Sequence, residues 1–262
     1  MTRGLGYLPD RGKLPAEAPD LTFRVGPTVE VPESVDLSPL VLSVLDQGHL
    51  GACVPSAGMQ AIRMAQKRQG DAKPELGSVL FGYYAARSVD HTTGLDAGTQ
   101  PRSFFRAINK VGFPPETLWP YSDRGGPEAP YRKMPSASAF RAAFDQHSPT
   151  VYRRISDVGG ARILSLMRAL ADGFPIVFGL LVDSVFMDGE FDARVPFYGM
   201  NPRKMVGGHA MVLVGYKGAA FRVVNSWGSG WGDSGFCWLD AEVMMAARDI
   251  WAVERAPMRG AK

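Results

Sequence analysis

The sequence predicts an α+β fold of two lobes with a cleft between them. Three observations predict it. Apolar residues recur at helical spacing through the first half of the chain. Apolar runs bounded by turn residues dominate the second half. The 262 residues are also enough for two lobes that each bury a core. The expected layout is an arm over residues 1–35 and one catalytic-sized unit over 36–262. Within that unit, residues from about 36 to 148 form the helical lobe and those from about 149 to 262 the β lobe.

The arm carries Pro9, Pro15, Pro19, Pro27 and Pro32. Proline fixes φ and offers no N–H, so the segment reads as extended chain. It is either a loose tail or a strap that packs on the body and covers the cleft in cis. A helix is expected directly after Cys53, with Pro55 in its first turn, Ala57, Ala61, Met64 and Ala65 on one face, and Gly70 at its end. Further helices are expected over 76–88, over 101–110 with Phe104, Phe105 and Ile108 as the stripe, over 136–146 and over 161–172. Strands are expected over 150–155, 176–182, 210–216, 221–225 and 235–239.

Composition excludes several classes. Net charge is +3, from 29 basic and 26 acidic residues, with no long basic run, so neither nucleic acid nor an anionic membrane is expected as a partner. No apolar stretch approaches the ~20 residues that span a bilayer. The start of the chain has no apolar signal-peptide core, and a cytoplasmic location is expected, with signal-independent export as the alternative. Cys53 and Cys237 are the two cysteines. That is too few for a disulfide scaffold, and their separation does not suit structural zinc, so no metal or cofactor is expected.

Three segments carry chemistry. In Gln47-Gly-His-Leu-Gly-Ala-Cys53, the cysteine stands at a predicted helix N-terminus behind a glycine loop. The helix dipole and a nearby imidazolium lower a thiol pKa there, which favours the nucleophilic thiolate. In Gly207-Gly208-His209-Ala210, the histidine precedes an apolar run and lies at a strand mouth, where a rigid backbone can hold a base. In Asn225-Ser226-Trp227-Gly228, a carboxamide closes a strand. Its oxygen can accept from one imidazole nitrogen and leave the other for the thiol, while Trp227 shields that bond from water.

Together these segments resemble the papain-like (C1) cysteine peptidases. The carriers are Gln-Gly-x-x-Gly-x-Cys at 47–53, Gly-His-Ala at 208–210 and Asn-Ser-Trp-Gly-x-Gly-Trp-Gly-x-x-Gly at 225–235, in the family's chain order. The resemblance runs from about Val35 to Leu239. It implies the papain-like fold, with an antiparallel barrel-like β lobe. It implies Cys53 as nucleophile, His209 as base, Asn225 as its orienting residue, and Gln47 with the Cys53 N–H as the oxyanion site. It further implies Gly98, in Asp96-Ala97-Gly98, as a backbone contact for an extended peptide or protein substrate, with Gly208 and Trp227 also on the substrate side. The usual Cys-Gly-Ser-Cys-Trp is here Leu50-Gly-Ala-Cys53-Val54, and no long helical propeptide precedes it, which looks like the cysteine-poor bacterial or phage branch.

The implied function is peptide hydrolysis through a thioester acyl-enzyme. The alternatives are an acyltransferase or amidase using the same residues, and a non-catalytic shell used for binding or assembly. His49, His91 and His147 read as structural residues and Cys237 as a core residue. Gly230, Gly232 and Gly235 spell a dinucleotide fingerprint, but a strand rather than a helix is expected to follow, which rejects it.

Overall fold

A computed structural model describes residues 3–10, 20–24, 30–145, 147 and 149–258. The expectation of extended chain at Pro15, Pro19 and Pro27, and the predicted helix end at Gln146, lie outside the described residues. In chain order the regular elements are β1 (Ser34–Asp36), α1 (Cys53–Arg68), α2 (Val79–Val89), α3 (Pro101–Val111), α4 (Ala137–Asp145), β2 (Val151–Ile155), α5 (Gly159–Ala171), β3 (Ile176–Asp183), α6 (Ser184–Asp188), β4 (Pro196–Phe197), β5 (Met205–Lys217), β6 (Ala220–Val224), β7 (Phe236–Asp240), α7 (Ala241–Ala246) and β8 (Arg248–Arg255). The fold is α+β, as the sequence predicts, with helices leading and strands following.

Local chemistry sets the helix ends. The Ser78 hydroxyl accepts the Phe81 N–H at 3.1 Å and caps α2. Pro101 starts α3, where its missing N–H costs nothing, and Gly112 at φ 73° ends it. The sheet runs β2-β8-β3-β5-β6-β7-β4, with β1 pairing the far end of β5. Its pairs are antiparallel except β4 with β7.

Alternation along the central strands gives the sheet two apolar faces. Val177, Ala210, Val212, Val214, Trp251 and Val253 pack under α1 through Val54, Ala57, Ala61, Ile62 and Ala65. Phe178, Leu180, Met211 and Leu213 face the other way, onto Leu166 and Leu170 of α5 and onto Trp227 and Trp231. The start of α1 is thereby fixed against β5.

Two differences from the sequence expectation bear on the site. β5 starts five residues before Ala210, because β3 offers partners as far as Asp183 and the ladder runs through Gly207 and Gly208, opposite Val182 and Leu181. His209 therefore pairs with Leu180 inside the strand rather than standing at its mouth. Strand β8, which the sequence reading did not anticipate, sits between β2 and β3. Its apolar run, Ile250 to Val253, is four residues long and flanked by charges. The potential dinucleotide fingerprint is followed by β7, a strand, as expected.

Buried Arg87 organises the loop after α2. Its guanidinium donates to the carbonyls of Tyr83 (3.3 Å), Thr93 (2.8 Å), Leu95 (2.6 Å) and Tyr131 (2.6 Å), and lies 3.8 Å from the centre of the Tyr83 ring. Tyr83 in turn donates its hydroxyl to Asp96 at 2.6 Å and accepts the Gly98 N–H at 3.0 Å. Asp96 accepts the Gly51 N–H at 3.0 Å. This chain ties residues 96–98 to the loop that leads into Cys53. Replacing Arg87 with Met should leave these buried carbonyls without their charged donor and lower stability by at least ~3 kcal/mol, read as a fall in the urea midpoint; an unchanged midpoint would remove Arg87 from this role.

Candidate active site

Cys53 opens α1, behind Ala52, so its sulfur stands at the positive end of a 16-residue helix. Backbone N–H groups of Ala210, Gly6, Val54 and Cys53 itself approach that sulfur. The Ala210 contact sets the sulfur against β5, whose preceding residue is His209. His209 Nε2 shares a hydrogen bond with Asn225 Oδ1 at 2.7 Å. The His209 Nδ1 atom is buried and has no hydrogen-bond partner among the described residues. Asn225 Oδ1 also accepts the Ser226 N–H at 2.7 Å, which holds the carboxamide in place. An amide oxygen can only accept, so Nε2 carries the proton and Nδ1 has a lone pair available. The Trp227 ring stacks on the imidazole at 4.1 Å between centroids and 20° between planes.

Gln47 belongs to the same cluster. Its Oε1 accepts from the Ser226 hydroxyl at 2.6 Å, which fixes the amide orientation. Its Nε2 donates to the Leu50 carbonyl at 2.9 Å and to the Gly4 carbonyl at 3.1 Å. The second acceptor belongs to the arm.

Cys53 and His209 are both 0% exposed, and residues 3–10 contribute to that burial. The Gly4 N–H donates to Gly48 O, and the Gly4 carbonyl also accepts from Trp227 Nε1 at 3.4 Å. The N–H groups of Gly6 and Tyr7 converge on the Gly208 carbonyl at 3.2 and 3.1 Å. Thr99 N–H donates to Gly6 O at 2.8 Å, and Leu8 N–H donates to Thr99 O at 3.0 Å, so the arm runs parallel to the 98–99 stretch. Gly98, at φ 70°, lets the arm come this close: a Cβ there would lie 2.2 Å from Gly6 O. Gly98 and Gly208, expected on the substrate side, meet the arm here, and Thr99, which stands in no motif, makes the ladder bonds because the Gly98 N–H is held by Tyr83. Among the described residues, no group of three or more His, Cys, Asp or Glu could hold a metal ion.

Burial decides the electrostatics of this covered site. It pushes the Cys53 thiol up to about 12, against the pull of the surrounding N–H groups. It pushes His209 down to about 4, against the Asn225 hydrogen bond. With the arm in place, thiol and imidazole are therefore both neutral at pH 7. Cys237 lies buried in β7, its thiol also pushed up by burial.

The arm has a second anchor beyond Tyr7. Asp10 meets Arg102 and Arg154, each at 3.0 Å, and its N–H donates to Asp249 Oδ2 at 2.9 Å. Burial, then the neighbouring Asp249, pushes the Asp10 carboxyl up to about 7. The Arg102 guanidinium opposes this, and burial together with Asp249 outweighs it.

The model of the papain family of cysteine proteases matches residues 31–250. An uncharacterized peptidase C1-like protein of Acanthamoeba polyphaga mimivirus is 32% identical over 227 residues, covering 82% of this chain and 71% of that one. A cathepsin B-like protein of Giardia intestinalis is 28% identical over 222 residues, covering 79% of this chain and 68% of that one. Among solved structures, xylellain, a cysteine protease from Xylella fastidiosa, superposes with a TM-score of 0.86 at 30% identity, over 97% of each chain.

Two measurements probe the covered state. Gly6→Val in the full-length chain, whose Cβ would lie 1.9 Å from Gly51 O, should displace the arm. Iodoacetamide should then label Cys53 at least ~10-fold faster at pH 7, because a thiol near 12 is almost wholly protonated. Cys237 should stay unlabelled, and equal rates with and without the substitution would show that the arm does not control the thiol. A carboxyl raised on docking favours the docked arm at low pH. That contribution is complete below about 4, the ordinary carboxylate range, and is lost as pH rises through about 7. Hydrogen-exchange protection of residues 4–8, corrected for intrinsic rates, should therefore be higher at pH 5 than at pH 7.5, and Asp10→Asn should flatten the difference.

Proposed function

The chain belongs to the papain family of cysteine proteases and is a cysteine-type peptidase, and we propose that Cys53, His209, Asn225 and Gln47 carry the reaction once the arm has left the cleft. The observation that carries this reading is the His209 imidazole, bonded to Asn225 at one nitrogen and bare at the other, one residue before the Ala210 N–H that reaches a sulfur at a helix N-terminus.

With the arm displaced, water and substrate reach the sulfur and the burial that keeps both groups neutral is relieved. The proton of Cys53 then passes to His209 Nδ1, and the helix dipole stabilises the thiolate. The thiolate attacks the carbonyl carbon of a peptide bond. The resulting oxyanion is held by Gln47 Nε2 and the Cys53 N–H, in the position that the Gly4 carbonyl now marks beside Gln47. His209 gives its proton to the departing amine, leaving a thioester on Cys53. Water, deprotonated by His209, attacks the thioester and releases the acid and the thiol. Asn225 keeps the ring aligned throughout, and Trp227 keeps water from their hydrogen bond.

In this reading the arm is a strap in cis over a cleft built for an extended peptide. Gly98, Thr99 and Gly208 line the backbone track and would hold a substrate chain where the arm now lies. Both cysteines are free and buried. Among the described residues no helix is long and apolar enough to cross a membrane.

Cys53→Ala should abolish peptide hydrolysis while leaving the circular dichroism spectrum and melting temperature near those of the parent. Gln47→Ala, measured in the Gly6→Val background so that loss of arm contacts does not mask the effect, should lower kcat by about two to three orders of magnitude. Hydrolysis that survives Cys53→Ala would end the assignment of the nucleophile. A kcat unmoved by Gln47→Ala would take that residue out of the mechanism.

A further inference from the structure

The arm also reveals which substrate side chain the cleft is shaped to take. Tyr7 is 3% exposed, and its ring lies in a slot over the paired strands β3 and β5, at Gly179 and Gly208. Two glycines open that slot. A Cβ at Gly179 would lie 2.2 Å from carbons of the Tyr7 ring, and one at Gly208 would lie 2.3 Å from Tyr7 O and 2.8 Å from the ring. Any other residue at either position would close it. At the end of the slot stands a carboxylate. Tyr7 Oη donates to Asp249 Oδ2 at 2.7 Å, in a buried bond.

The carboxylate is fixed from behind. Asp249 Oδ1 accepts from Arg154 Nη2 at 3.0 Å, and Oδ2 also accepts the Asp10 N–H. Asp249 is one of three described non-glycine residues with positive φ, at 47°, just inside the start of β8. A left-handed backbone at a side chain aimed into a pocket is a costly feature that the fold maintains. The slot adjoins the site directly, because Tyr7 follows Gly6, whose N–H reaches the Cys53 sulfur. Beyond the ring it opens into a groove of about 360 Å³, lined by Tyr7, Pro9, Leu181, Tyr198 and Met205 among others.

We propose that this slot is the enzyme's specificity pocket for a tyrosine side chain near the scissile bond, and that Asp249, receiving the phenol hydroxyl, selects tyrosine over phenylalanine. The proposal rests on the peptidase reading above and names its substrate class. The slot is built by glycines of the body rather than by the arm, so an incoming peptide inherits it when the arm leaves. A bare carboxylate facing a phenylalanine edge would be buried with one acceptor unpaired, which penalises that residue beyond the loss of one bond.

The test uses the full-length Gly6→Val chain and matched fluorogenic peptides in which Tyr, Phe, Leu and Arg are scanned through the three positions before the reporter amide. Tyr at one of these positions should exceed Phe in kcat/KM by about 10- to 100-fold, the scale of a hydrogen bond to a charged group. Asp249→Asn should shrink that ratio to a few-fold. Asn tolerates a left-handed backbone, so this variant retains the local fold. The second arm needs no hydrolysis: Tyr7→Phe in the otherwise unaltered chain should speed iodoacetamide labelling of Cys53 by about 10-fold, because the strap loses its bond to Asp249. Equal rates for Tyr and Phe peptides, or a preference for Leu or Arg, would overturn the proposal while leaving the peptidase reading intact. If no peptide is cut although Cys53 labels readily, the peptidase reading fails instead, and the Tyr7→Phe labelling rate still decides the slot.

Discussion

The packing of the first turn of α1 against β5 is the constraint from which the site hangs. Cys53 meets the segment of β5 that carries His209 because Val54, Ala57 and Ala61 seat the helix on Ala210, Val212 and Val214. Alternation along β5 then gives successive residues different tasks. Ala210 faces the helix and points its N–H at the sulfur, while His209 faces the opposite layer, where Trp227 stacks on it and Asn225 fixes its tautomer. A shift of one residue in the β3–β5 register would exchange those faces and separate the groups. The long antiparallel ladder from Ile176 to Asp183 makes such a slip costly.

Covering the site requires little from the arm's side chains. Gly4 and Gly6 present bare backbone, and carbonyls of the body crowd the places where their Cβ atoms would stand. The close approach brings the arm's N–H and C=O groups onto Gly48, Thr99 and Gly208, so few polar groups are left unpaired as water is excluded. Exclusion of water suppresses both charges of the thiol–imidazole pair at once. Occlusion and electrostatic silencing are thus one physical event, and Tyr7 and Asp10 supply the side-chain anchorage that backbone alone lacks.

Much of this was legible in the sequence, and the exceptions have physical causes. The helix after Cys53 announces itself through its apolar stripe and Gly70. The motifs at Gln47, Cys53, His209 and Asn225 name the candidate chemistry because those side chains work only in combination. The length of β5 was not legible, since Gly207 and Gly208 read as breakers and become strand only when β3 lies opposite. Strand β8 escaped because a four-residue apolar run between charges depends on its neighbours to become a central strand. Asp249 and Thr99 escaped for a related reason. Neither stands in a motif, and each gains meaning from a residue far away in sequence, Tyr7 or Gly6. A signal for Asp249 did exist: Tyr7 is an aromatic set among glycines and prolines, in an arm with no core of its own to fill.

If the uncovered sulfur of Cys53 is the acyl carrier, rapid-quench mass spectrometry of the full-length Gly6→Val chain during turnover of a peptide ester should catch it loaded. The expected result is a transient adduct with the mass of the acyl group, mapped to the tryptic peptide that contains Cys53, rising and decaying at rates that match product release. Turnover with no adduct at Cys53, or an adduct on Cys237 instead, would contradict it.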